Sequence, residues 1–244
     1  VGQCRNHDCL NVAQSTNFFV TVLIMEAEKS LECLTYCFLV EVIMQIIPPS
    51  LQYETYEIKK DDGSFCSFIF NDIMGLEEKT EMGVKVEDVK LALNGHVSKG
   101  YQSDLEIQEN DKYYNSSPTL NDKVHVLVSV IPAGSVSILS DGVVKKMREV
   151  RLAASDMGIP QLAILTKIDE ACPEVNTNMD KVYGSIYLKE LVDKFSVLLG
   201  ISPNCIFLVR NYHEEIDTND DMNALILTAV KQMIYFGEDF VDKL

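Results

Sequence analysis

Apolar and polar residues follow two different periods along this chain, and each change of period marks an element. Residues 53–59 alternate and are rich in Tyr and Thr, Asp61-Asp62-Gly63 makes a turn, and residues 65–71 read as a second strand. Two such runs about an Asp-Gly turn predict a β-hairpin. Residues 83–93 set Val86, Val89 and Leu93 on one helical face. Residues 95–122 are polar and contain Ser116-Ser117-Pro118, which predicts a long excursion between elements.

A regular rhythm follows. Residues 123–131 form a continuous apolar strand, and residues 141–157 carry Val143, Met147, Val150, Ala154 and Met157 as one stripe. Residues 161–165 make the next strand. Leu188, Leu191, Val192, Phe195, Leu198 and Leu199 then line a helix that stops at Gly200. A last strand spans residues 205–209, and Met222, Leu225, Ala229, Met233 and Phe236 stripe the final helix. Short apolar strands alternating with amphipathic helices imply βαβ units, a mostly parallel sheet and helices on both faces. Ligands of such sheets bind at the carboxyl ends of the strands. Residues 52–244 are expected to form this α/β domain, preceded by an N-terminal region at residues 1–51.

That region has its own candidates. Phe18 to Met25 is apolar and β-branched enough for a central strand, with residues 26–39 following as a helix. The most apolar stretch, residues 36–47, is broken by Glu41 and Gln45 and ended by Pro48-Pro49. It falls short of the roughly 20 apolar residues that span a bilayer, so no transmembrane segment is expected. The chain opens on Val1 and reads as a piece of a longer or mis-assembled sequence.

Composition narrows the function classes. An apolar fraction of 47% is enough for a core without staples. The net charge of −16 argues against nucleic acid, which needs a basic face. Seven cysteines show no framework spacing and are expected to be reduced. Cys4, His7 and Cys9 lack a second ligand pair at finger spacing, so no zinc site is expected. Asn115-Ser116-Ser117 fits a glycosylation acceptor but reads as a polar loop. The four histidines, His7, His96, His125 and His213, are spread out, and no catalytic nucleophile or base stands out.

Two strand ends carry chemistry. Leu165-Thr166-Lys167-Ile168-Asp169 matches the guanine-specificity motif of GTPases. The Asp169 carboxylate can accept from both the ring N–H and the exocyclic amine of guanine, and the Lys167 stem can lie on the base plane. The same residues also suit a plain loop with a helix cap at Asp169. Phe70-Asn71-Asp72-Ile73-Met74-Gly75 ends a strand in Asp-x-x-Gly. There Asp72 would hold Mg²⁺ through water and the Gly75 N–H would reach a terminal phosphate. A strand end followed by a turn accounts for these residues too. The order of hairpin, βα unit, Thr-Lys-x-Asp strand and a further loop at Val209-Arg210-Asn211-Tyr212 follows a Ras-like G domain of the three-layer P-loop NTPase kind. Asn211 falls where such domains place their last base-contacting loop.

From about Glu54 to Leu244 the chain resembles the interferon-induced protein 44-like family. The resemblance rests on Thr55-Tyr56-Glu57-Ile58, on Phe70 through Leu76, and on the Gly95-His96 step. It continues through Leu165 to Asp169, Val209 to Tyr212, and the helix with Ile226-Leu227-Thr228-Ala229 that ends at Asp239-Phe240. It implies a cytoplasmic, interferon-inducible, antiviral immune-response protein with a GTPase-related domain.

The phosphate loop of that family, Gly-x-x-x-x-Gly-Lys-Ser, has no counterpart here. Lys29-Ser30 is present, but Leu23 and Glu28 occupy the two glycine positions of the frame. Such a loop grips phosphates with successive backbone N–H groups and its Lys. The N-terminal part of the fold is therefore expected to be degenerate, with GTP and Mg²⁺ held weakly and binding, to nucleotide or to proteins, replacing catalysis. A GTPase whose phosphate loop is missing from the sequence, and a nucleotide-independent interaction scaffold, stand as the alternatives.

Overall fold

The computed structural model describes residues 18–25, 52–60, 62–76, 83–102, 106–212 and 219–244. The expected helix at 26–39, the apolar stretch at 36–47, Lys29-Ser30, Cys4, His7, Cys9 and His213 lie outside the described residues.

Six strands form one sheet: β1 (Phe18–Met25), β2 (Glu54–Lys59), β3 (Phe65–Leu76), β4 (Val126–Pro132), β5 (Gln161–Thr166) and β6 (Ile206–Leu208), in the spatial order β2-β3-β1-β4-β5-β6. The Asp62-Gly63 turn makes the hairpin as expected. Gly63 takes a φ of +86°, and its N–H donates to the Lys60 carbonyl at 3.0 Å. Phe18–Met25 occupies the central position between β3 and β4.

Its direction corrects the expectation of a mostly parallel sheet. The parallel part is β4-β5-β6, whereas β1 pairs antiparallel with both β3 and β4, and β2 pairs antiparallel with β3. A continuous apolar run can be hydrogen-bonded in either direction, because both ladders satisfy every backbone group. Apolarity selects the slot and leaves the polarity of the strand open.

Six helices are described: α1 (Val86–Leu93), α2 (Asp141–Asp156), α3 (Ile168–Ala171), α4 (Pro173–Thr177), α5 (Ile186–Leu199) and α6 (Asp220–Val241). Capping follows local chemistry. Ser140, Ser185 and Asn219 each accept from a backbone N–H of the first turn of α2, α5 and α6. The predicted stripes face inward: Val143, Met147, Val150 and Ala154 on α2, and Met222, Leu225, Ala229 and Met233 on α6, are buried.

The central strands are buried on both faces. Leu127, Ile131, Ala163 and Leu165 join the core that contains α1, α2 and α5 residues. Val126, Val128, Val130, Leu162 and Ile164 join Phe68, Phe70 and the α6 residues Ile226, Val230 and Met233 on the other face. The described helices thus form outer layers on both sides of the sheet.

The polar excursion of residues 95–122 is pinned at both ends. Gly95 has a φ of +84°, and a Cβ there would meet the Asp122 backbone at 2.8 Å, so only glycine fits this crossing. His96 stacks on Tyr114 with ring centroids 5.2 Å apart, and its Nδ1 lies 2.8 Å from the Asn115 carbonyl. Asn115 donates to the Gly95 carbonyl and accepts from Ser117 N, which uses the glycosylation-like asparagine as a loop clamp. Deeper in, the Asp88 carboxylate accepts from the Tyr101 hydroxyl at 2.7 Å and from Ile107 N at 3.1 Å. Burial pushes Asp88 above the usual carboxylate range, and those two hydrogen bonds pull it partly back.

His125 is fully buried, and burial holds it below the usual imidazole value. The expectation of reduced cysteines throughout is corrected at Cys66, which is disulfide-bonded. Cys172 and Cys205 are free thiols. No described helix is long and apolar enough to cross a membrane.

Candidate functional site

Strand β5 ends on Thr166, which is buried, and the chain turns sharply at Lys167. Lys167 has φ 54° and ψ 42°, and it is the one described non-glycine residue with positive φ. A left-handed lysine costs about 1–3 kcal/mol and persists where its surroundings over-determine it, most often at functional sites. The surroundings here are specific. Lys167 N donates to Asn211 Oδ1 at 3.3 Å, Ile168 N donates to the Val209 carbonyl at 3.5 Å, and Val209 N donates to the Leu165 carbonyl at 2.9 Å. Ile168 is fully buried and anchors the turn from below.

The side chains at this edge form two ion pairs. Lys167 Nζ lies 3.2 Å from Glu170 Oε1, and both groups are well exposed. Arg210 Nε lies 3.9 Å from Asp169 Oδ2, with side-chain exposures of 20% and 22%. Both side chains are partly buried. Arg210 Nη1 also reaches the Asn176 carbonyl at 3.5 Å. The Tyr212 hydroxyl accepts from Asn219 N at 2.6 Å and lies 2.9 Å from Asn223 Oδ1, which ties the loop after β6 to the start of α6.

Thr166, Lys167, Asp169 and Asn211 are therefore brought together, with Asn211 acting through its side chain on the Lys167 backbone. Sequence reasoning missed Arg210 and Glu170. Arg210 was adjacent to a nominated residue, and its charge beside an expected carboxylate was the available signal.

Asp72 and Gly75 lie elsewhere. β3 and β5 run in the same direction, so both motifs point toward one end of the sheet. The expectation that Asp72 ends its strand is corrected, because β3 continues to Leu76. Asp72 pairs with Thr21, Thr21 with Val128, and Val128 with Leu162. Asp72 thus sits four residues short of the level of Thr166, ~13 Å of strand. Its exposure is 0%. Gly75 also belongs to β3, and its carbonyl accepts from Val84 N at 3.1 Å. β1 and β4 separate β3 from β5.

The reversed β1 affects phosphate chemistry directly. Phe18 pairs with Leu76 at the end where β3 finishes, whereas Met25 pairs with Phe68 near the start of β3. The strand that would feed a phosphate loop thus ends at the edge opposite Thr166–Asp169. Among the described residues no group of three or more His, Cys, Asp or Glu is arranged to hold a metal ion. Lys167, Asp169 and Asn211 thus stand together at one end of the sheet, while Asp72 and the end of β1 stand apart from them.

Comparison with curated proteins finds interferon-induced protein 44 of Mus musculus, 32% identical over 196 residues, which are 79% of this chain and 46% of that protein. Interferon-induced protein 44 of Pan troglodytes is 29% identical over 198 residues, 80% of this chain and 44% of that protein. The human interferon-induced protein 44-like is 27% identical over 196 residues, 79% of this chain and 43% of that protein. The chain spans less than half the length of the curated relatives it matches. No family model matches it. No solved structure matches it either.

Proposed function

We propose, from the premise that this chain belongs with the interferon-induced protein 44 and 44-like family over about 80% of its length, that it is an interferon-inducible immune-response protein acting by binding and not by catalysis. Its domain is a degenerate relative of the P-loop NTPase fold, with the base-reading loop kept and the phosphate grip lost. The strand order β2-β3-β1-β4-β5-β6, with helices on both faces, supports this kinship. The observation that carries the reading is the contrast at the two motif ends. The β5 turn is held in a left-handed backbone by Asn211 and flanked by Asp169 and Arg210. By contrast, β1 runs backwards and Asp72 is sealed inside the sheet.

Interferon induction is carried over from the names of the relatives, and the antiviral setting and the cytoplasm are what the family resemblance implies. The acidic charge disfavours nucleic acid, so the partners are proteins or a purine ligand. The test is a titration of a fluorescent GTP analogue with Mg²⁺ against the full chain. Binding is expected to be no tighter than the micromolar range, because the groups that supply most triphosphate affinity are missing. A submicromolar dissociation constant with turnover of GTP would overturn the reading.

A further inference from the structure

We infer that the outer face of α5 is a self-complementary docking surface for a second copy of this chain. The two helices lie antiparallel about a two-fold axis that passes between the levels of Leu191 and Val192.

The inner face of α5 is anchored by Leu188, Leu191, Phe195 and Leu199, all buried. The opposite face is open. Ile186 and Val197 are 75% and 80% exposed. Eleven residues apart in the chain, they fall within about 20° of each other around a helix of 3.6 residues per turn. Tyr183, in the turn before α5, and Tyr187 add to the exposed apolar surface. Apolar groups on one helical line with aromatics beside them are what protein interfaces carry.

The charges between Ile186 and Val197 say what covers them. Lys189, Glu190, Asp193 and Lys194 are all exposed, and their order reads the same from either end. A two-fold interface uses one patch on both copies, so the axis fixes what each residue meets. Here Ile186 falls opposite the partner's Val197. At about 100° per residue, Glu190 and Lys194 lie on one flank of the Ile186–Val197 line, and Lys189 and Asp193 on the other. The axis keeps each flank on its own side and reverses the helix direction. Glu190 then meets the partner's Lys194, and Lys189 meets the partner's Asp193, at levels offset by ~1.5 Å. A parallel pair would also match charges, but it would align the two helix dipoles, whereas the antiparallel pair opposes them.

Two features favour a copy of this chain as the occupant. The patch is locally neutral, two lysines against two acids, on a chain whose net charge of −16 repels a copy elsewhere. Lys189 and Asp193, and Glu190 and Lys194, are also four residues apart within one helix. Among the described residues neither pair closes, unlike Lys145–Glu149 and Lys243–Asp239, so these charges are available across the axis.

Sedimentation velocity of the full chain at rising concentration tests this. One pair of 14-residue helices is a small interface, so a dimer dissociating at about 1–100 µM is expected. Val197→Asp should weaken it by about tenfold or more. Glu190→Lys sets a lysine against the partner's Lys194 and should weaken it as much, although the chain becomes less negative. Adding Lys194→Glu to Glu190→Lys restores the matched pairs only in the antiparallel arrangement, and should bring the dimer back to within about threefold. All these positions are exposed, and circular dichroism should stay unchanged. Should Val197→Asp unfold the chain, Ile186→Asp reads the same contact from its other side. A chain that stays monomeric up to about 500 µM overturns the inference. So does a dimer indifferent to the single substitutions, or a double variant that stays monomeric.

Discussion

The two halves of the sheet meet the same packing demand with opposite strand directions. In β4, β5 and β6 the strands are parallel, both faces are buried, and every connection after a strand emerges at one edge. There the chain places a strained lysine, a carboxylate and a guanidinium side by side. In β1, β2 and β3 the strands pair antiparallel, and the motif residue Asp72 lies under the sheet surface. Packing tolerates a reversed strand, since an apolar run buries its side chains in either direction. Site chemistry does not tolerate it, because the residues after the strand emerge at the other end. A strand can therefore keep its place in the order while the residues that follow it leave from the opposite edge.

Truncating the parallel half should have the largest effect. Leu165 is fully buried beneath the turn that carries Thr166 and Lys167. Leu165→Ala removes that support and leaves a cavity, and is expected to cost about 2–5 kcal/mol in urea unfolding. Guanosine affinity should fall with it. Full retention of binding by the destabilised variant would show that the turn does not depend on the parallel core.

The other side of the molecule offers a titration. Asp88 anchors the excursion through Tyr101 and Ile107, and burial raises its proton affinity above the ordinary carboxylate range. The folded state therefore binds this proton more tightly than the unfolded chain does. Its contribution to folding is fully present below the ordinary carboxylate value and is lost as pH rises through the raised one. Asp88→Asn removes that dependence and leaves one donor poorly matched, at about 1–3 kcal/mol. Urea midpoints of the two proteins should draw apart as pH falls from neutrality into the carboxylate range. A gap that narrows instead would mean the carboxylate is favoured in its charged form.

Most of the element positions were legible because they rest on periodicity. The stripes on α2, α5 and α6, the Asp-Gly hairpin and the β5 turn all follow from residue spacing. Phe18–Met25 was legible as a central strand, and its direction was not. No side-chain pattern in an eight-residue apolar run encodes polarity. Asp72 was misplaced for a related reason. Asp-x-x-Gly reads as a strand end, yet β3 continues through it to Leu76, where Leu76 pairs with Phe18. Arg210 was hidden because ion pairing between β5 and β6 loops is a tertiary fact, and only adjacency to Asn211 hinted at it.

The smallest expected effect is the most specific to the site. Lys167 holds a backbone conformation that favours glycine, at a cost of about 1–3 kcal/mol. Lys167→Gly removes that strain but adds chain entropy to the unfolded state, about 0.5–1 kcal/mol. It also deletes an exposed ion pair with Glu170, which contributes little. Relief of the strain outweighs the other two, so unfolding should shift to the stabilised side by about 0–2 kcal/mol. Guanosine binding should weaken severalfold, because the stem proposed to lie on the base is gone. A residue kept for packing alone would show the reverse, with lower stability and unchanged binding. Urea midpoints and guanosine titrations on the same preparation separate the two outcomes.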